Sequence, residues 1–115
     1  MNIAILGAGG LGKSATRLIE QKKEVKIIAI CDKRGYKIDE KGIKPKKIYS
    51  LSKEQSVAGI GNASNDTIGE IIKAGKLIEG ILITLPNLPN EFIPSVAKRF
   101  LKNGYEGAFS DPLKR

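Results

Sequence analysis

The sequence predicts an α/β fold, a doubly wound parallel sheet with helices on both faces, in a single domain. Three features lead there. Short apolar runs alternate with stretches whose apolar residues recur at helical spacing. A glycine-rich segment, ILGAGGLGKSAT at residues 5–16, joins the first run to the first helical stretch. The second run, Val25–Cys31, ends on an acid, Asp32.

Asn2–Leu6 is short and apolar, as a buried strand is. Leu11, Ala15, Leu18 and Ile19 then fall on one helical face, in a helix running through Gln21. Val25–Cys31 is rich in isoleucine and reads as the second strand. Strand, glycine turn, helix and strand thus follow within about 30 residues, the extent of one βαβ unit. Residues 33–47 are polar and mostly basic, with turn signals at Gly35 and Gly42, and no strand is assigned there. Ile48 and Leu51 suit a short helix. Asn62–Asp66 offers N-caps to a helix carrying Ile68, Ile71 and Ile72. Gly80–Leu85 is the third clear strand, broken by the prolines in Pro86–Asn90. Phe92, Ile93, Val96, Ala97, Phe100 and Leu101 trace an amphipathic helix. Pro94 falls in its first turns, where proline is tolerated, and Gly104 ends it. Gly107–Ser110 reads as a last short strand. There is no internal repeat, low-complexity tract or linker.

With 115 residues, 41% of them hydrophobic, the chain suffices for one domain with a core. No apolar run approaches the ~20 residues that cross a bilayer, so no membrane partner is expected. The start lacks the basic, apolar and small-residue succession of a secretory leader, and a cytoplasmic location is expected. The single Cys31 allows no internal disulfide and suits packing at a strand end. The net charge is +8, but the lysines are spread along the chain without interleaved aromatics, so no nucleic-acid partner is expected. The charge suits a solvated lysine-rich surface or an anionic small molecule. There is no histidine, which excludes imidazole acid–base catalysis and Ser-His triads within these residues. With one cysteine besides, no metal site is expected, and no catalytic residue is assigned.

The glycine segment satisfies two phosphate-binding patterns. Gly7, Gly9 and Gly12 spell G-x-G-x-x-G, the dinucleotide fingerprint of Rossmann-like domains. Gly7, Gly12, Lys13 and Ser14 spell G-x-x-x-x-G-K-[ST], the loop of nucleoside triphosphatases. The second needs a magnesium-binding acid at the end of a later strand, and Ile81–Leu85 runs into Pro86 and Asn87 instead. Asp32 closes the next strand, where the dinucleotide fold puts its ribose-binding acid. The dinucleotide reading is therefore preferred. Gly7 would allow the tight turn, Gly9 the approach of the pyrophosphate and Gly12 close helix–strand packing. The amides around Gly9, Gly10 and Leu11 would face the pyrophosphate at the helix N-terminus. Lys13 and Ser14 then become ordinary helix positions. Asp32 would favour NAD, whereas Lys33 and Arg34 beside it could hold a 2′-phosphate, so NAD and NADP both stay open.

Residues 27–64, with the acid closing strand two, a basic pair, Gly35, an acidic turn at Gly42 and SVAGIGNA, resemble homoserine dehydrogenases. They also resemble the cofactor domain of glutamate-type amino-acid dehydrogenases. The segment ILITLPNLPNEFIPSVAKRFLKNG, residues 81–104, resembles the homoserine dehydrogenase strand, loop and following helix. Similar loops occur in the glucose–fructose oxidoreductase and saccharopine dehydrogenase groups. The resemblance covers roughly residues 3–112, the cofactor half of such enzymes. It implies that Gly7, Gly9 and Gly12 hold the pyrophosphate, that Asp32 meets the ribose, and that Leu85, Pro86 and Asn87 lie near the adenosine or nicotinamide side. The sequence departs from the family at residues 110–112, Ser-Asp-Pro, which has no lysine before the proline. The segment GAGGLGK is also similar to the N-terminal domain of sugar O-acetyltransferases and to adenylating enzymes of the ubiquitin-activating type.

The expected function is the NAD(P)-binding domain, residues 1–115, of an oxidoreductase acting on an amino-acid-like substrate. Its substrate domain would be supplied in cis or by a partner chain, and homo-oligomerisation is left open. The alternative is a non-catalytic nucleotide-binding or sensing module.

Overall fold

A computed structural model describes residues 1–52, 55–84, 92–105 and 107–110, with the backbone alone at 10, 11, 92–94 and 108–110. Its strands are β1 (Asn2–Leu6), β2 (Lys26–Cys31), β3 (Gly35–Ile38), β4 (Asn62–Ala63), β5 (Gly80–Ile83) and β6 (Ala108–Ser110). Its helices are α1 (Gly10–Ile19), α2 (Pro45–Tyr49), α3 (Thr67–Lys73) and α4 (Phe92–Lys102), with 3₁₀ turns at Val57–Gly59 and Gly75–Leu77.

The described strands form one sheet in the order β4-β3-β2-β1-β5-β6. β1 pairs in parallel with both β2 and β5, and β5 with β6. The chain leaves β1 for β2 on one side and later fills the other side with β5, so the order reverses at β1. That reversal opens a crevice at the strands' carboxyl ends, where open α/β sheets bind ligands.

The apolar residues divide between the two faces. Ile3 and Ile5 of β1 join Ile27, Ile30, Ile43, Ile48 and Val57 on one face, with Ile19 of α1 packed against them. Ala4 and Leu6 join Cys31, Ile71, Ile81, Ile83, Val96 and Phe100 on the other, the side of α3 and α4. Alternation along β1 thus feeds two cores, the arrangement of a doubly wound sheet. β2 carries a bulge: Ile3 pairs with Ile27 but Ala4 pairs with Ala29, so Ile28 is an extra residue. Ile27 and Ile30 consequently share a face although three positions apart.

The expected parallel sheet is corrected at one edge, where β3 and β4 run antiparallel. Residues 32–34 alone separate β2 from β3, whereas a parallel crossover needs about a dozen residues or more. The polar composition of 33–47 obscured β3, although Tyr36 and Ile38 alternate with lysine and aspartate and pack on the α3 side. Asn62 and Ala63, read as part of a capping segment, form β4, and the cap of α3 is Asp66, which accepts from Gly69 N at 3.2 Å. Among the described residues, no helix is long and apolar enough to cross a membrane.

Candidate functional site

The site is built on the turn that follows β1. Gly7 adopts φ 117°, a conformation that disfavours any side chain, and its N–H donates to Cys31 O at 2.8 Å. A Cβ on Gly12 would strike the Gly7 carbonyl oxygen, so this glycine lets α1 start hard against the loop. Gly9 differs from both: a Cβ there would meet nothing within 4 Å among the described residues. Its bare backbone faces open space, the condition for close approach of a ligand. Gly9 is also the N-cap of α1, which has neither a side-chain cap nor an acid in its first turn. The first-turn amides of a helix, here beginning at Gly10 and Leu11, have no intrahelical acceptor. Among the described residues no side chain caps the positive end of α1, where an anion would be favoured. These features fit a pyrophosphate.

Thr84, which sequence reasoning missed, locks this loop to β5. Its hydroxyl donates toward Gly7 O at 2.8 Å and Leu6 O at 3.2 Å, and its N–H donates to Leu6 O at 2.8 Å. A β-branched hydroxyl residue closing an apolar strand was the available signal. Leu85 and Pro86, which follow, lie outside the described residues.

The second half of the site is the turn after β2. Oδ1 of Asp32 accepts from Arg34 N at 2.9 Å, Gly35 N at 2.8 Å and Ser56 Oγ at 3.0 Å. Oδ2 accepts from Val57 N at 2.8 Å. The Asp32 carbonyl accepts from Thr67 Oγ1 at 2.6 Å. Partial burial would raise the carboxyl's pKa, but the bonds from Val57, Arg34, Gly35 and Ser56 outweigh it and hold the group below its usual 3.8. The acid expected to meet a ribose therefore ties β2, the β2–β3 turn and the Val57–Gly59 3₁₀ turn together. Ser56, which also caps that 3₁₀ turn through Ala58 N, was not singled out from sequence. Gly35 permits the assembly because a Cβ there would strike the Ala58 backbone.

Lys33 and Arg34 are exposed at the tip of the turn. Between the two turns lies a cleft of about 280 Å³ lined by Ala8, Gly9, Lys13, Asp32, Lys33, Arg34, Ser52 and Gln55. Lys13, an ordinary helix position in the dinucleotide reading, lines this cleft. Beyond the Lys33–Arg34 tip, a wider groove runs past Ala63, Ser64 and Asn65. Cys31 sits in the core behind the site, and burial, the largest influence, pushes its thiol up to about 12, which leaves it a packing residue.

Sheet order, glycine loop and cleft together define a Rossmann-like α/β domain. Within that class the chain belongs to the family described as the PglD N-terminal domain, which matches residues 2–65. The chain is also 27% identical to the (S)-8-amino-7-oxononanoate synthase BioU of Haloferax mediterranei, over all of this chain and 41% of that protein. Its fold is similar to part of a homoserine dehydrogenase from Thermoplasma acidophilum, with a TM-score of 0.62 at 14% identity, covering 96% of this chain and 35% of that one. A hyperthermophilic archaeal homoserine dehydrogenase in complex with NADPH aligns with a TM-score of 0.55 at 16% identity, covering 95% of this chain and 43% of that one. The chain thus spans less than half the length of each of these relatives.

Proposed function

We propose that the chain is the nicotinamide-dinucleotide-binding domain of an NAD(P)-dependent oxidoreductase that resembles homoserine dehydrogenase and acts on an amino-acid-like substrate. The observation that carries this reading is the Gly7–Gly12 loop at the point where the strand order reverses, with Gly9 bare and the end of α1 uncapped by any side chain. When bound, the nicotinamide supplies or accepts a hydride. The amides from Gly9 into the first turn of α1 bind the pyrophosphate, and Lys33 and Arg34 serve the adenosine side. Leu85 and Pro86, next in the sequence after Thr84, serve the same ligand. The substrate domain is supplied in cis or by a partner chain, a reading supported by the greater length of the relatives. Residues 1–115 are expected to bind the dinucleotide without turning a substrate over.

A second reading, a nucleotide-binding module without catalysis, is favoured by the PglD N-terminal domain match, which takes in both turns of the site. Calorimetric titration of the chain with NADPH, NADH and Mg-ATP tests the dinucleotide assignment on which the first reading rests. Saturable binding of a reduced dinucleotide without ATP binding is the expected result. Saturable ATP binding, with neither dinucleotide bound at millimolar concentration, overturns the first reading in favour of the second.

A further inference from the structure

We propose that the cleft between the two turns selects a dinucleotide carrying a phosphate on its adenosine ribose 2′-oxygen over one with a free 2′-hydroxyl. The proposal rests on the dinucleotide reading above and adds which dinucleotide is held.

An acid that selects the unphosphorylated ribose needs acceptor positions for the ribose hydroxyls and an exposed charge that repels phosphate. Asp32 is partly committed to other partners. Its Oδ1 already takes three donors, Arg34 N, Gly35 N and Ser56 Oγ, and its Oδ2 takes Val57 N. These bonds offset part of its negative charge. Beside the Asp32 carboxylate, which the chain's own donors engage, the cleft offers a ligand three cations. Lys13 lines it from the first turns of α1, and Lys33 and Arg34 from the tip of the β2–β3 turn. Among the described residues none of these three stands in an ion pair. The arginine fork matches the geometry of phosphate oxygens, and the lysines add point charge. Ser52 and Gln55 line the same cleft. Gln55 Oε1 accepts from Ser52 N at 2.8 Å, which leaves the Gln55 amide NH₂ as a further donor.

The arrangement also explains why an acid stands at position 32 beside two cations. By binding the amides of Arg34 and Gly35, the carboxylate shapes the turn from which the Lys33 and Arg34 side chains project.

The experiment is calorimetric titration of the chain with NADPH and with NADH at low ionic strength. The same titrations follow on a Lys33→Ala/Arg34→Ala variant, whose folding is checked by circular dichroism. NADPH is expected to bind at least about tenfold more tightly than NADH, as charge-assisted bonds to a phosphate imply. The variant, altered only at exposed side chains, is expected to lose most of that preference, its NADPH affinity falling by far more than its NADH affinity. NADH binding as tight as NADPH, or a variant that keeps the NADPH preference, overturns the proposal and leaves the dinucleotide reading standing. A folded chain that binds neither overturns both.

Discussion

The chain turns at the carboxyl end of β1 and again at the carboxyl end of β2, and the two turns treat their polar groups in opposite ways. After β1, the end of α1 has no side-chain cap and no acid, and Gly9 looks onto empty space. After β2, every oxygen of Asp32 takes a donor from the chain itself, and Gly35 is wedged against Ala58. Among the described residues the first turn offers its helix no side-chain acceptor, while the second supplies its own donors and acceptor. An acid at the end of the second strand is therefore no guide to its task until its partners are known: the residue type suits ribose recognition, but here the carboxylate serves the protein.

The two turns share one vulnerability, at glycines crowded by backbone. Gly12→Ala drives a methyl group into the Gly7 carbonyl, and Gly35→Ala drives one into Ala58. Each is expected to cost about 3 kcal/mol, the upper range for overpacking, because backbone atoms cannot swing aside. Urea denaturation midpoints measure this, and near-wild-type stability for either would refute the packing described. Asp32→Ala follows, at about 2 kcal/mol, since it strips a partly buried set of donors of their acceptor. Were Asp32 instead a free ribose acceptor, the same change would leave stability intact and alter only ligand choice.

Acid separates the turns further. The folded pKa of Asp32 lies below its ordinary 3.8, so the unfolded chain takes up the proton more readily. The stability supplied by these bonds is full above 3.8 and is lost as pH falls through the lower folded value. Stability measured from pH 6 down to pH 2 should fall more steeply for the wild type than for Asp32→Asn, and parallel curves would contradict the assignment. Gly9→Ala should have the least effect on stability, within about 1 kcal/mol, because its φ of −77° suits alanine and no atom opposes the methyl. Its consequence should appear in binding: the methyl occupies the space in which the proposed pyrophosphate would lie, and dinucleotide affinity should drop by about tenfold or more. A loss of stability without a loss of affinity would reverse the roles given to the two turns.

Most of this architecture could be read from local sequence. The spacing of Leu11, Ala15, Leu18 and Ile19 marked α1, the runs before Gly7 and Asp32 marked β1 and β2, and Gly104 marked the end of α4. These signals act over a few residues. What escaped depends on partners far along the chain. β3 is a strand because Tyr36 meets Cys31 and Asn62 on its two sides, which its polar surroundings do not announce. The occupation of Asp32 depends on Ser56 and Val57, and the clamp on Gly7 on Thr84, residues separated from their partners by 24 to 77 positions. The cleft's cation from α1, Lys13, was set aside because the motif that includes it did not win.

The bulge in β2 carries a lesson about which changes this strand can absorb. KIIAIC looks interchangeable, and swaps among its aliphatic residues keep hydrophobicity and nearly keep volume. Its length is another matter. Removing one residue near Ile28 would straighten the strand and turn one of its ends over, presenting Ile30 and Cys31 to the opposite faces or shifting the pairing with β1. Asp32 would then leave the reach of Val57, and the turn it anchors would come apart without any change to the turn's own residues. A gene library built on this strand should therefore vary its letters freely and never its count.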